Sequence, residues 1–165
     1  MKNYRRAALA AAALATCVIS TAAPAASCWS QADVSAAKVR ELQTRLMVAT
    51  LRCRASGVNI LASYNAFVGT TKPAIIAANN TLKAHFGAAG PVAGQRDYDR
   101  YTTVLANAYG AADTGPESCA EAANLAAEAT VAKGDLAAFA ERAIPVATLP
   151  ASVCSGNDSV VLAAK

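Results

Sequence analysis

The chain has 165 residues, enough for one domain with one core, and 55% of them are apolar, so a disordered or low-complexity class is excluded. Alanine inflates that fraction: only three Phe, two Met and one Trp are present, so large side chains to fill a core are scarce and further sources of stability are expected. The formal charge of +4 does not point to nucleic acid, because Lys2, Arg5 and Arg6 and no acid fall in the first 25 residues, leaving 12 basic against 11 acidic residues and a net +1 beyond them.

The chain opens with Met1-Lys2-Asn3-Tyr4-Arg5-Arg6, a cationic stretch without acids, followed by an Ala/Leu run from Ala7 to Ala15 that is too short to span a bilayer. Small residues follow in Ser20-Thr21-Ala22-Ala23-Pro24-Ala25-Ala26, and Ala23 with Ala25 satisfies the A-x-A rule. Residues 1–25 therefore read as a signal peptide cleaved after Ala25, with Ala26 the alternative. Export follows, to a periplasm or to the medium. Leu14-Ala15-Thr16-Cys17 resembles a bacterial lipobox, with Thr where Gly, Ala or Ser is usual, so a lipid anchor through Cys17 is the alternative to simple cleavage. Arg5-Arg6 lacks the flanking pattern of a twin-arginine signal.

Ser30-Gln31-Ala32-Asp33 resembles a helix capping box, with Asp where Glu or Gln is usual. Val39, Leu42, Leu46, Ala49 and Cys53 then recur at intervals of three and four, which predicts a long helix ended by Gly57. A second helix presents Ile60, Leu61, Tyr64, Phe67 and Val68 and is expected to stop at Gly69. Pro73 suits the first turn of a third, whose face is Ile75, Asn79, Leu82 and Phe86 and which the run from Gly87 to Gly90 closes. Tyr98, Tyr101, Leu105 and Ala108 or Tyr109 define a fourth helix before Gly110. Asp113-Thr114-Gly115-Pro116 opens a fifth, Ala-rich one holding Cys119, Leu125 and Ala129, and Asp135 caps a last short helix with Leu136, Phe139 and Ala140. Pro145 and Pro150 prevent its continuation, and residues 156–165 read as a mobile tail. No segment alternates as a strand does. The prediction is all-α: a single small bundle of five or six short helices over residues 26–155.

Cys28, Cys53, Cys119 and Cys154 lie beyond the leader, an even number that reads as two disulfides in an exported domain. Cys28 and Cys53 bracket the first helix, whose length at roughly 1.5 Å per residue holds them about 30 Å or more apart, against the roughly 7 Å that a disulfide allows between α-carbons. That removes one of the three pairings. Cys53–Cys119 with Cys28–Cys154 is favoured, and Cys28–Cys119 with Cys53–Cys154 stays open. No C-x-x-C pair suggests a metal site.

The motifs of nucleotide, P-loop, zinc-protease, α/β-hydrolase and haem sites are absent from the sequence. His85, the single histidine, excludes a multi-histidine metal centre; near a helix C-terminus, a partly exposed imidazole there complements the helix dipole. No metal and no cofactor is expected. Gln95-Arg96-Asp97-Tyr98-Asp99-Arg100-Tyr101 is the densest polar stretch and reads as a solvated face, with Asp97 and Asp99 too differently directed to work as paired carboxylates. Asn65 and Asn79 lie beside apolar faces, so Asn65, Asn79, Arg96 and Tyr101 are the candidates for a polar ligand cavity. Trp29 is expected to pack over the disulfide of Cys28.

Leu46-Met47-Val48 through Leu51-Arg52-Cys53-Arg54, Tyr64-Asn65-Ala66-Phe67-Val68, and Tyr101-Thr102-Thr103 through Leu105-Ala106-Asn107 resemble small exported helical proteins of alphaproteobacteria. The resemblance implies a Gram-negative periplasm and carries over no activity. The functional expectation is a non-catalytic envelope protein acting by contact with a protein, the cell wall or a small ligand. The alternatives are a small envelope hydrolase or lyase using His85 or Asp97 and Asp99, and a periplasmic ligand carrier. Neither a nucleic-acid partner nor a membrane-spanning helix beyond the leader is expected.

Overall fold

The computed structural model describes residues 28–154 except Thr114 and Lys133; the expected signal segment 1–25, its expected cleavage sites, Cys17 and the expected tail 156–165 lie outside the described residues. Five helices follow in order among the described residues: α1 (Gln31–Ala55), α2 (Leu61–Gly87), α3 (Pro91–Gly110), α4 (Pro116–Val131) and α5 (Leu136–Ala143). No strand is present among them, and the all-α bundle is as expected.

Helix α1 starts where its cap chemistry says it should. Ser30 accepts from the Asp33 amide, and the Asp33 side chain accepts from the Ser30 amide. At the other end Ser56 closes the helix and Gly57 turns away with a φ of 91°, a conformation that suits glycine. This helix is the hub, packing on each of the other four. Val39, Leu42 and Leu46 enter the main core, while Cys53 joins Ile60 and Cys119 in a smaller cluster at the far end.

The expected break at Gly69 does not occur. Residues 61–87 form one helix of 27 residues, with Pro73 inside it rather than in its first turn. Its buried positions explain why: Phe67, Thr71, Ile75, Ala78 and Leu82 follow one another at steps of three and four straight through the proline, a single core-facing stripe. The missing N–H of Pro73 deprives the carbonyl four residues earlier, which is that of Gly69, and both residues sit on the exposed side. Helices α1 and α2 are therefore long, and α3, α4 and α5 are laid on them.

Both disulfides form as favoured from the sequence. Cys53 and Cys119 join α1 to α4 with α-carbons 5.7 Å apart, and Cys28 and Cys154 join the two ends of the domain at 4.9 Å. Beside the second pair, Trp29 donates to Ser152 and accepts from Cys154, both at 2.9 Å, in an isolated parallel bridge with Val153. Two buried charges on α1 hold the segment that leads there. Lys38 pairs with Glu141 and also donates to the Pro145 carbonyl at 3.3 Å. Glu41, 3% exposed, accepts from the Thr148 amide and hydroxyl, each at 2.8 Å, and from the Tyr109 hydroxyl at 2.9 Å.

Candidate functional site

The end of α2, the start of α1, α3 and the segment after α5 meet around Trp29. Trp29 is 1% exposed and lies in an aromatic cluster: its ring centroid is 4.3 Å from His85 and 5.6 Å from both Phe86 and Tyr101. Phe86 meets Tyr98 edge-on at 5.9 Å. Rings at these separations and angles gain from quadrupole contacts in addition to burial. The cluster requires α3 to approach the end of α2 closely. A β-carbon on Gly94 would lie 2.8 Å from the carbonyl carbon of Phe86, so glycine is what permits the approach.

Against this cluster lies a cavity of about 330 Å³. Trp29, Phe86 and Tyr101 form its aromatic wall, Leu149 and Pro150 with Val104 its aliphatic one, and His85, Asp97 and Arg100 supply its polar groups. A largely apolar lining with few polar side chains is the usual make-up of a small-ligand site, and the volume falls near the low end of the range of roughly 300–1,000 Å³.

His85 is placed otherwise than its sequence position suggested. It does lie in the last turn of α2, but its side chain is only 8% exposed, because Trp29 covers the ring and Asp33 of α1 meets Nδ1 at 3.1 Å. Asp33 is itself fixed by the Ser30 hydroxyl at 2.6 Å and amide at 3.0 Å. Burial alone would raise the Asp33 pKa, but the Ser30 hydroxyl and amide, then His85, outweigh it and hold the carboxyl below its ordinary value of 3.8. An ionised Asp33 accepts Nδ1–H of the imidazole, which leaves Nε2 as the ring's other hydrogen-bonding group. Ser30 donates its hydroxyl to Asp33, and no hydrogen bond joins it to the imidazole among the described residues.

The four residues expected to share a polar cavity do not converge. Tyr101 walls the cavity described above. Asn79 is one step behind it, accepting from the Tyr98 hydroxyl at 3.4 Å. Asn65 is exposed on α2, and Arg96 is exposed on α3, where its Nε faces Asp97 at 3.5 Å. Asn65 falls two residues before the buried Phe67, which turns it out of the core-facing stripe. Asp97 and Asp99 do diverge: Asp97 borders the cavity, whereas Asp99 accepts from Gln95 at 2.8 Å on the exposed side.

Tyr101 and Tyr109 sit over the α1 charges. Burial, followed by the nearby negative charge of Glu41, drives the Tyr101 phenol well above its ordinary pKa, and its hydroxyl has no hydrogen-bond partner among the described residues. Burial together with the hydrogen bond donated to Glu41 does the same for Tyr109. Among the described residues no group of three or more His, Cys, Asp or Glu side chains is placed to hold a metal ion, and no helix is long and apolar enough to cross a membrane.

Comparison with known proteins finds no family model, no curated protein and no solved structure that matches this chain.

Proposed function

We propose that this chain is an exported, non-catalytic binding protein of the cell envelope that takes a small, partly apolar ligand in the cavity beside Trp29. The single observation behind the reading is the cavity itself, walled by aromatic and aliphatic side chains and bordered by only a few polar ones. Export, with the periplasm as the destination, is favoured by the leader pattern in residues 1–25 and by two disulfides that suit an oxidising compartment. Trp29 is the only tryptophan, so its fluorescence reports on the cavity without labelling. Titration with a library of small aromatic and aliphatic compounds should change that emission saturably for some members. The change should disappear when Val104→Trp, whose own emission is subtracted, fills the space. A library without a single saturable hit would sink the reading.

A second reading, an envelope hydrolase or lyase, is favoured by one contact, the Asp33–His85 pair at the cavity wall. Turnover of ester or cell-wall substrates that is lost in a folded His85→Ala variant would replace the binding proposal with this one.

A further inference from the structure

We infer that the ligand is a monoanionic carboxylate with an aromatic or aliphatic body, anchored by Arg100; the inference rests on the binding reading above. The polar groups at the cavity differ in how far the protein already satisfies them. His85 gives Nδ1 to Asp33, and Asp97 is faced by Arg96 at 3.5 Å. Arg100 lines the same cavity, yet no hydrogen bond or ion pair joins its guanidinium to a described residue, although Asp97 stands only three residues away on α3. It is thus a permanently charged, forked donor at the edge of an apolar chamber, a geometry that matches the two oxygens of a carboxylate.

The rest of the wall narrows the choice. Trp29 and Tyr101 present ring surface and Leu149 an aliphatic one, which suits a ligand whose body is apolar. Asp97 on the same wall repels a second negative charge, so a phosphate monoester, dianionic at neutral pH, is disfavoured relative to a carboxylate. A cationic ligand would be repelled by Arg100, while Asp97, the carboxylate on the same wall, is already faced by Arg96.

The test uses the oxidised protein and four matched probes at neutral pH: 3-phenylpropanoate, 3-phenylpropanamide, phenyl phosphate and phenethylamine. Binding is read by Trp29 emission and by calorimetry. The carboxylate should bind about tenfold or more tightly than the amide, and more tightly than the other two, as expected for a charge-assisted pair. Arg100→Gln should abolish that preference, so that carboxylate and amide bind alike, and Arg100→Lys should restore part of it. Equal binding of amide and carboxylate, or a preference that survives Arg100→Gln, overturns this inference and leaves the binding reading intact. If none of the four probes binds up to millimolar concentration, this inference falls, while the binding reading stands or falls on the library titration.

Discussion

Asp33 has a part in both local and distant structure: through Ser30 it caps α1, and through His85 it ties α1 to the end of α2. Because its carboxyl is held below 3.8 in the folded chain, the unfolded chain binds the extra proton first as the pH falls. The stability it contributes is complete above about pH 4 and drains away as the pH drops through the folded value; Asp33→Asn should flatten that acid limb in denaturation curves. The two raised phenols act in the opposite direction. Above about pH 10 the unfolded chain releases protons that Tyr101 and Tyr109 keep, so stability should decline with rising pH. Ultraviolet titration should show both phenolates emerging only with unfolding. Glu41→Ala removes the charged acceptor of Tyr109 and Thr148 and should cost about 2–4 kcal/mol by chemical denaturation, since buried donors are left unmatched. The Ser30 cap was legible from the sequence, but the distant partnerships were not: Asp33 and His85 stand 52 residues apart, and Glu41 and Thr148 stand 107 apart. Charged residues at i and i+3 of a helix read as a solvated face unless a distant segment is known to cover them.

At the level of helices, the local signals carried most of the fold. The Ser30 capping box, the turn at Gly57, the Asp135 cap with its bond to the Ala138 amide and Pro91 at the first turn of α3 all stand where residue chemistry puts them. The misreading was α2, where Gly69 and Pro73 are both breakers by local preference. Tertiary burial of the stripe from Phe67 to Leu82 overrides them, which single-residue punctuation does not reveal. Two glycine substitutions separate the roles of this residue. Gly69→Ala, at an exposed mid-helix site with open space around it, should raise stability by about 0.5–1 kcal/mol. Gly94→Ala forces a methyl group onto the Phe86 backbone and should destabilise by about 1–3 kcal/mol, with a loosened Trp29 environment visible in near-ultraviolet circular dichroism.

On the scale of the molecule, the cysteine pairing was only partly readable: one long helix excludes one of the three connectivities, and the structure decides between the other two for the one favoured from the sequence. The cavity was not, since its walls come from four separated stretches of chain: Trp29, the end of α2, α3 and the strip after α5. Replacing Cys28 and Cys154 by Ser should lower stability by about 3–5 kcal/mol on the chain-entropy view, with a smaller loss for the shorter loop between Cys53 and Cys119. The bond from Cys28 to Cys154 also makes the described domain a covalent ring. A protease that cuts once in any turn between helices, around Gly57, Ala88, Ala111 or Gly134, opens that ring without releasing a piece. The nicked protein should run as one band without reductant and as two with it. The joined ends also mark this chain as a candidate for circular permutation, with new termini opened at Ala88 and the old ones fused beside Trp29.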